Sequence, residues 1–124
     1  MSKDAEEIRA VVTDYLEGMI YGDAAQLARA FHHRAIAFGR YRGQLEYEGR
    51  DQFIPSWTTM GPLPRGTPYA AEVISTDIMG DVAVVKLTDT CFGDDFTDCL
   101  MLVRDMGRWQ IMAKAFHVHE KGDR

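Results

Sequence analysis

Phe96-Thr97-Asp98-Cys99-Leu100-Met101-Leu102-Val103-Arg104-Asp105-Met106-Gly107-Arg108-Trp109-Gln110-Ile111-Met112-Ala113-Lys114-Ala115-Phe116-His117-Val118-His119 decides the fold. It reads as two strands of β-branched, aromatic and long apolar residues. Gly107 between them supplies the positive φ that a tight hairpin turn needs. With Met106-Gly107 as the loop, Asp105 faces Arg108, Leu102 faces Ile111 and Asp98 faces Ala115. Alternation then puts Phe96, Asp98, Leu100, Leu102, Trp109, Ile111, Ala113, Ala115 and His117 on one face. The other face carries Thr97, Cys99, Met101, Val103, Gln110, Met112, Lys114, Phe116 and Val118. The first face is apolar enough for a core floor. The second is apolar but salted with Lys114, Gln110 and Thr97, as a subunit interface is. Helices are therefore expected over one side of this sheet and a second copy of the chain over the other.

Upstream, residues 4–20 carry Ile8, Val11, Val12, Tyr15, Leu16, Met19 and Ile20 in one stripe at the helical period. Asp4 and Glu7 have the spacing of a capping box. After Gly22, Asp23 and Gln26 cap a second, short helix through about Phe31, which His32-His33-Arg34 closes. Residues 35–41 and 44–48 read as strands joined at Arg42-Gly43. A third helix starts near Gly49, and Pro55 is expected to end it early or kink it. Residues 60–68, with Gly61, Pro62, Pro64, Gly66 and Pro68, form the one true loop. Strands over 69–79 and 82–92 follow, turning at Gly80-Asp81 and at Gly93-Asp94, and residues 120–124 are expected to fray. Helices first and then a run of antiparallel strands is an α+β layout.

At 124 residues the chain, 1–124, is long enough for one domain and too short for two. A formal net charge of −5 with no basic stripe argues against nucleic acid and against an anionic membrane surface. No apolar run is long enough to span a bilayer, and the first residues lack a signal-peptide core. Cys91 and Cys99 are read as reduced thiols, and the location as cytoplasmic.

Tyr21-Gly22-Asp23-Ala24, Glu48-Gly49-Arg50-Asp51, Gly80-Asp81-Val82-Ala83-Val84, and above all Phe96-Thr97-Asp98 with Gly107-Arg108-Trp109-Gln110-Ile111 and Lys114-Ala115-Phe116, occur in a telling order. It resembles that of nuclear-transport-factor-2-like proteins, and most closely the small bacterial group called putative lumazine-binding (SnoaL-like) proteins. The resemblance covers nearly the whole chain. It implies a cystatin-like roll: a cone-shaped, strongly curved, mostly antiparallel sheet with three N-terminal helices on its concave face. It also implies a pocket between helices and sheet. On this scaffold occur isomerases, cyclases, dehydratases and plain binding modules.

Candidate site residues follow. With Gly93-Asp94 as the loop, Asp89 faces Asp98, with His117 diagonal to Asp98. Two close carboxylates in an apolar setting raise one pKa, and a neighbouring histidine can relay the proton. The resemblance turns Tyr15 toward the pocket, where it can donate a hydrogen bond. Phe38, Tyr41, Phe53 and Trp57 are candidate aromatic walls for a flat ligand. The expectation is a homodimeric protein that binds a small molecule through Tyr15, Phe38, Tyr41, Phe53, Trp57, Asp89, Asp98 and His117, without metal or cofactor. Two alternatives stand beside it. One is an isomerase, cyclase or dehydratase with Asp98 as base and Tyr15 or His117 as acid; the other is a structural dimerisation module. His32, His33, His117 and His119 lack the convergent third ligand that zinc needs. Lys86 and Lys114 are assigned to the interface face.

Overall fold

The structure is a computed structural model that describes residues 2–119; the residues expected to fray, 120–124, lie outside it. Helix α1 spans Lys3–Ile20 and buries Ile8, Val12, Tyr15, Leu16, Met19 and Ile20 along the stripe that the periodicity predicts. Its cap is Ser2, whose Oγ accepts from the Ala5 N–H at 3.1 Å. Asp4, expected to cap, instead accepts from Trp109 Nε1 at 3.0 Å and from Arg104 at 2.8 Å, tying α1 to the sheet. Helix α2 (Ala24–Ala30) is capped by Asp23, as its sequence indicates. The histidines expected to close it already belong to strand β1 (Phe31–Tyr41).

Strand β2 (Gln44–Gly49) leads into helix α3 (Arg50–Thr58), and β3 (Ala71–Met79), β4 (Val82–Cys91), β5 (Asp94–Asp105) and β6 (Arg108–His119) complete the chain. Pro55 does not stop α3. It removes only the bond to the exposed Asp51 carbonyl, while Phe53 and Trp57 on the other side are locked in the core. The curved, open sheet has the order β2-β1-β6-β5-β4-β3, antiparallel except for the β1–β6 pair.

Three hairpins turn on a residue followed by glycine, both at positive φ: Arg42-Gly43, Phe92-Gly93 and Met106-Gly107. These are the two left-handed positions of a type I′ turn. The β4–β5 loop is thus Phe92-Gly93, one residue earlier than expected. The register moves by two, with Asp89 opposite Phe96 and Asp98 opposite Leu87. A shift of two preserves the face, so Asp89 and Asp98 still share it, as diagonal neighbours.

The β5–β6 pairing departs more deeply. Leu102 pairs with Ile111, but Met101 pairs with Ala113, so Met112 is a one-residue bulge. Beyond it every side chain of β6 changes sides. Asp98 faces Phe116 instead of Ala115. Lys114 and Val118 are buried on the concave face, and His117 is exposed on the convex one. Lys114 and Phe116 therefore leave the proposed interface face, and His117 leaves the carboxylates.

Under α1 the core is dry: Trp109, Ile111, Leu100, Leu102, Val85 and Leu87 have almost no exposure. An aromatic column joins the helices to β1, with Tyr15 edge-on to Phe31 and Phe53 stacked on Trp57 at 4.2 Å. The convex face is uncovered. Its middle row runs Tyr47, Phe38, Ala115, Cys99 and Lys86, and β3 is exposed along its whole length.

Candidate functional site

The bulge creates the site. Lys114 is 3% exposed on the concave face. Its ammonium lies 4.3 Å from the centre of the Trp57 ring, 4.9 Å from Tyr15, 5.3 Å from Phe116 and 6.0 Å from Phe96. Ring faces attract a desolvated cation, each by about 0.5–2 kcal/mol. The hydrogen-bond acceptor that Nζ meets among the described residues is the Met19 thioether at 3.7 Å, a weak one. An ammonium with three donors and, among the described residues, no oxygen partner borders a cavity of about 180 Å³. The cavity lies over Ala37 and Tyr41 of β1, beneath Ser56 and Trp57 of α3 and Met60, with Phe92, Phe96 and Phe116 on one side and Glu46 and Glu48 on the other.

Behind Lys114 lies the carboxylate pair. Asp98 is fully buried, and its Oδ2 accepts from the Tyr15 hydroxyl at 2.6 Å. Burial raises the Tyr15 pKa well above the ordinary phenol value, and the charges of Asp98 and Asp89 add to it, so the hydroxyl keeps its proton. Asp89 is pushed up to about 9, first by burial, then by its hydrogen bond to Asp98 and that group's charge; Lys114 pulls the other way. Were both groups ionised, the Asp89 oxygens and Asp98 Oδ1 would have no donor. A proton on Asp89 would supply a donor to Asp98 Oδ1, in keeping with the upward shift, which favours the neutral acid at pH 7. Burial also raises the Cys91 thiol to about 12 and leaves it inert.

The residues singled out from the sequence divide accordingly. Tyr15, Asp89 and Asp98 meet in one buried cluster. Tyr41 and Trp57 line the cavity, and Phe53 supports Trp57 from behind. Phe38 faces outward, 38% exposed, because it alternates with the inward Ala37. His117 stands on the convex face across from Thr97. Lys114, Phe116, Glu46 and Glu48 were missed as pocket residues. For Lys114 and Phe116 a parity change was the signal: the large inward residues of β6 are odd-numbered through Ile111 and even-numbered from Lys114. Among the described residues no group of three His, Cys, Asp or Glu side chains converges on a metal position, and no helix is long and apolar enough to cross a membrane.

A family model described as "Putative lumazine-binding" matches residues 3–117. The chain belongs to this family. It is also similar to solved nuclear-transport-factor-2-like structures. One, a protein of unknown function from Silicibacter pomeroyi DSS-3, is 27% identical, with a TM-score of 0.86 over 95% of this chain and 99% of that one. Another, from Methylobacillus flagellatus KT, is 24% identical, with a TM-score of 0.85 over 97% and 95%. A ketosteroid isomerase-like protein from Erwinia carotovora atroseptica SCRI1043, 16% identical, shares the fold with a TM-score of 0.72 over 97% and 99%. No curated protein matches the chain. The nuclear-transport-factor-2-like α+β fold of this family member is thus shared with the Silicibacter and Methylobacillus proteins, both of unknown function.

Proposed function

We propose that the protein binds a small planar heteroaromatic molecule in the cavity beside Lys114. The observation that carries this reading is the Lys114 ammonium, buried among four aromatic rings, facing the cavity and lacking an oxygen acceptor among the described residues. A carbonyl or anionic oxygen on the ligand supplies that acceptor, and Trp57 and Phe116 supply stacking surface. A space of about 180 Å³ is below the roughly 300–1,000 Å³ of drug-sized sites. It suits one or two rings better than a polycyclic ketone. Lumazine, the dioxopteridine in the family's description, has the right character: flat, bicyclic and rimmed with oxygens. Asp98 has no exposed surface and one oxygen committed to Tyr15, which favours an anchoring role beneath Lys114 over that of a base.

Titration with lumazine tests the reading. Binding is expected to saturate and to quench the Trp57 emission, and Trp57→Phe should remove that signal while calorimetry still detects the ligand. Lys114→Met should weaken binding at least about tenfold through loss of a charge-assisted hydrogen bond. Heat and fluorescence traces that stay flat both with lumazine and with its 2-amino-4-oxo analogue would reject it.

A second observation favours self-association. Phe38, Tyr47, Val82 and Met101 leave apolar surface open on the convex face. A contiguous exposed apolar patch marks an interaction surface, and we propose that a second copy covers it in a two-fold dimer. Sedimentation should give a dimer at micromolar concentration, and Met101→Glu should shift it toward monomer. A native protein that sediments only as a monomer removes this reading.

A further inference from the structure

The cavity has two unlike banks, and the sheet register sets them face to face. Ala37 pairs with Glu48 on one side and with Lys114 on the other, so Glu48, Ala37 and Lys114 form one row across the concave face. The next row is Glu46, Gly39 and Phe116. The middle strand thus offers only a methyl group and a glycine. A Cβ built on Gly39 would collide with the Phe116 carbonyl and ring, so this position must stay bare. The result is a trough two strand spacings wide, about 10 Å between backbones. Lys114 and Phe116 form one bank, and two half-buried carboxylates form the other. Neither the Glu46 nor the Glu48 carboxylate has a hydrogen-bond or ion-pair partner among the described residues.

We infer that the ligand is an amino-oxo heterocycle, with a cyclic-guanidine edge against Glu48 and a carbonyl edge against Lys114. This rests on the planar-ligand reading above and narrows it. A carboxylate accepts two parallel hydrogen bonds from adjacent N–H groups, the pairing that makes such contacts strong and directional. A 2-amino-4-oxopyrimidine ring presents that pair as its amino group and the neighbouring ring N–H. Its 4-oxo oxygen, with N5 beside it in a pteridine, accepts from the lysine. A 2,4-dioxo ring puts a carbonyl where the amino group would be, and Glu48 then meets an acceptor with an acceptor. Leaving a charged group unmatched in a desolvated site is costly.

Calorimetric titration of the full chain with pterin (2-amino-4-oxopteridine) and with lumazine (2,4-dioxopteridine) tests the assignment. Pterin is expected to bind at least about tenfold more tightly. Glu48→Gln should shrink that ratio toward one, because the amide offers a donor to the dione, while its thermal midpoint stays near that of the native protein. Lys114→Met should weaken both ligands together. Lumazine binding as well as pterin overturns the inference and leaves the planar-ligand reading intact. So does a preference that Glu48→Gln leaves unchanged. Failure of both ligands to bind overturns the two readings at once. Should Glu48→Gln not fold, the comparison of the two ligands on the native chain still decides.

Discussion

The two ends of strand β6 obey the same alternation and end in opposite chemistries. From Arg108 to Ile111 the inward side chains are Trp109 and Ile111, sealed by α1 in a dry core. Beyond the Met112 bulge they are Lys114, Phe116 and Val118, and the space above the middle of this half is a cavity. One inserted residue separates a packed floor from a binding trough. The pattern of apolar residues thus specifies the core at one end, whereas at the other a break in that pattern specifies the site.

If the comparison holds, substitutions at the two ends differ in kind. Trp109→Ala should be the most damaging, costing about 3–5 kcal/mol of stability as a large cavity in the dry half, and more because Asp4 loses the indole N–H. Urea unfolding measures this, and a loss below about 1 kcal/mol would mean that the packed half is not what holds the sheet. Tyr15→Phe comes next. It leaves Asp98 without its 2.6 Å donor and should cost about 1–3 kcal/mol. The double variant Tyr15→Phe with Asp98→Asn should recover part of that loss. Additive losses in the double-mutant cycle would show the two groups to be uncoupled.

The third effect is read as a slope. Between the ordinary aspartate value near 4 and its folded value of about 9, Asp89 holds in the folded state a proton that the unfolded chain has released. Its contribution to stability is complete below the lower value and fades as pH rises toward the upper one. The loss is at most about 1.4 kcal/mol per pH unit. Asp89→Asn should therefore flatten the decline in stability between pH 5 and pH 8. Equal slopes for native and variant proteins in that window would exclude a neutral Asp89.

How much of this was legible follows from the same contrast. The helical stripe from Ile8 to Ile20, the Asp23 cap and the Met106-Gly107 hairpin each carry a local signal, and each is where the sequence puts it. That Asp89 and Asp98 share a face also follows from local alternation, because an error of two in register leaves a face unchanged, whereas the turn of Tyr15 toward them comes from the resemblance. The trough does not. Its geometry depends on the parallel β1–β6 pairing, which joins distant segments with no turn between them to read, and on a bulge at Met112-Ala113, where no glycine or proline marks the break. His117 and Lys114 changed places for that reason alone. Phe92-Gly93 is different, since the same residue-then-glycine rule that placed Met106-Gly107 would have found it.

The β1–β6 pairing also bears on how the molecule reaches its native state. Strands β3 to β6 are successive hairpins, each closed by a two-residue turn, whereas Ala37 meets Lys114 only after most of the chain has been brought around. Closing so long a loop carries an entropic cost that local hairpins escape, and non-local pairing is correspondingly slow. The trough is thus expected to assemble late, on a meander already formed, with its two banks arriving from opposite ends of the polypeptide. Pulse-labelled hydrogen exchange should protect β4 and β5 amides before those of β1, and the reverse order would contradict this sequence of events. A ligand that bridges Glu48 and Lys114 would then act as a latch on the last step, slowing the first step of unfolding more than it speeds refolding.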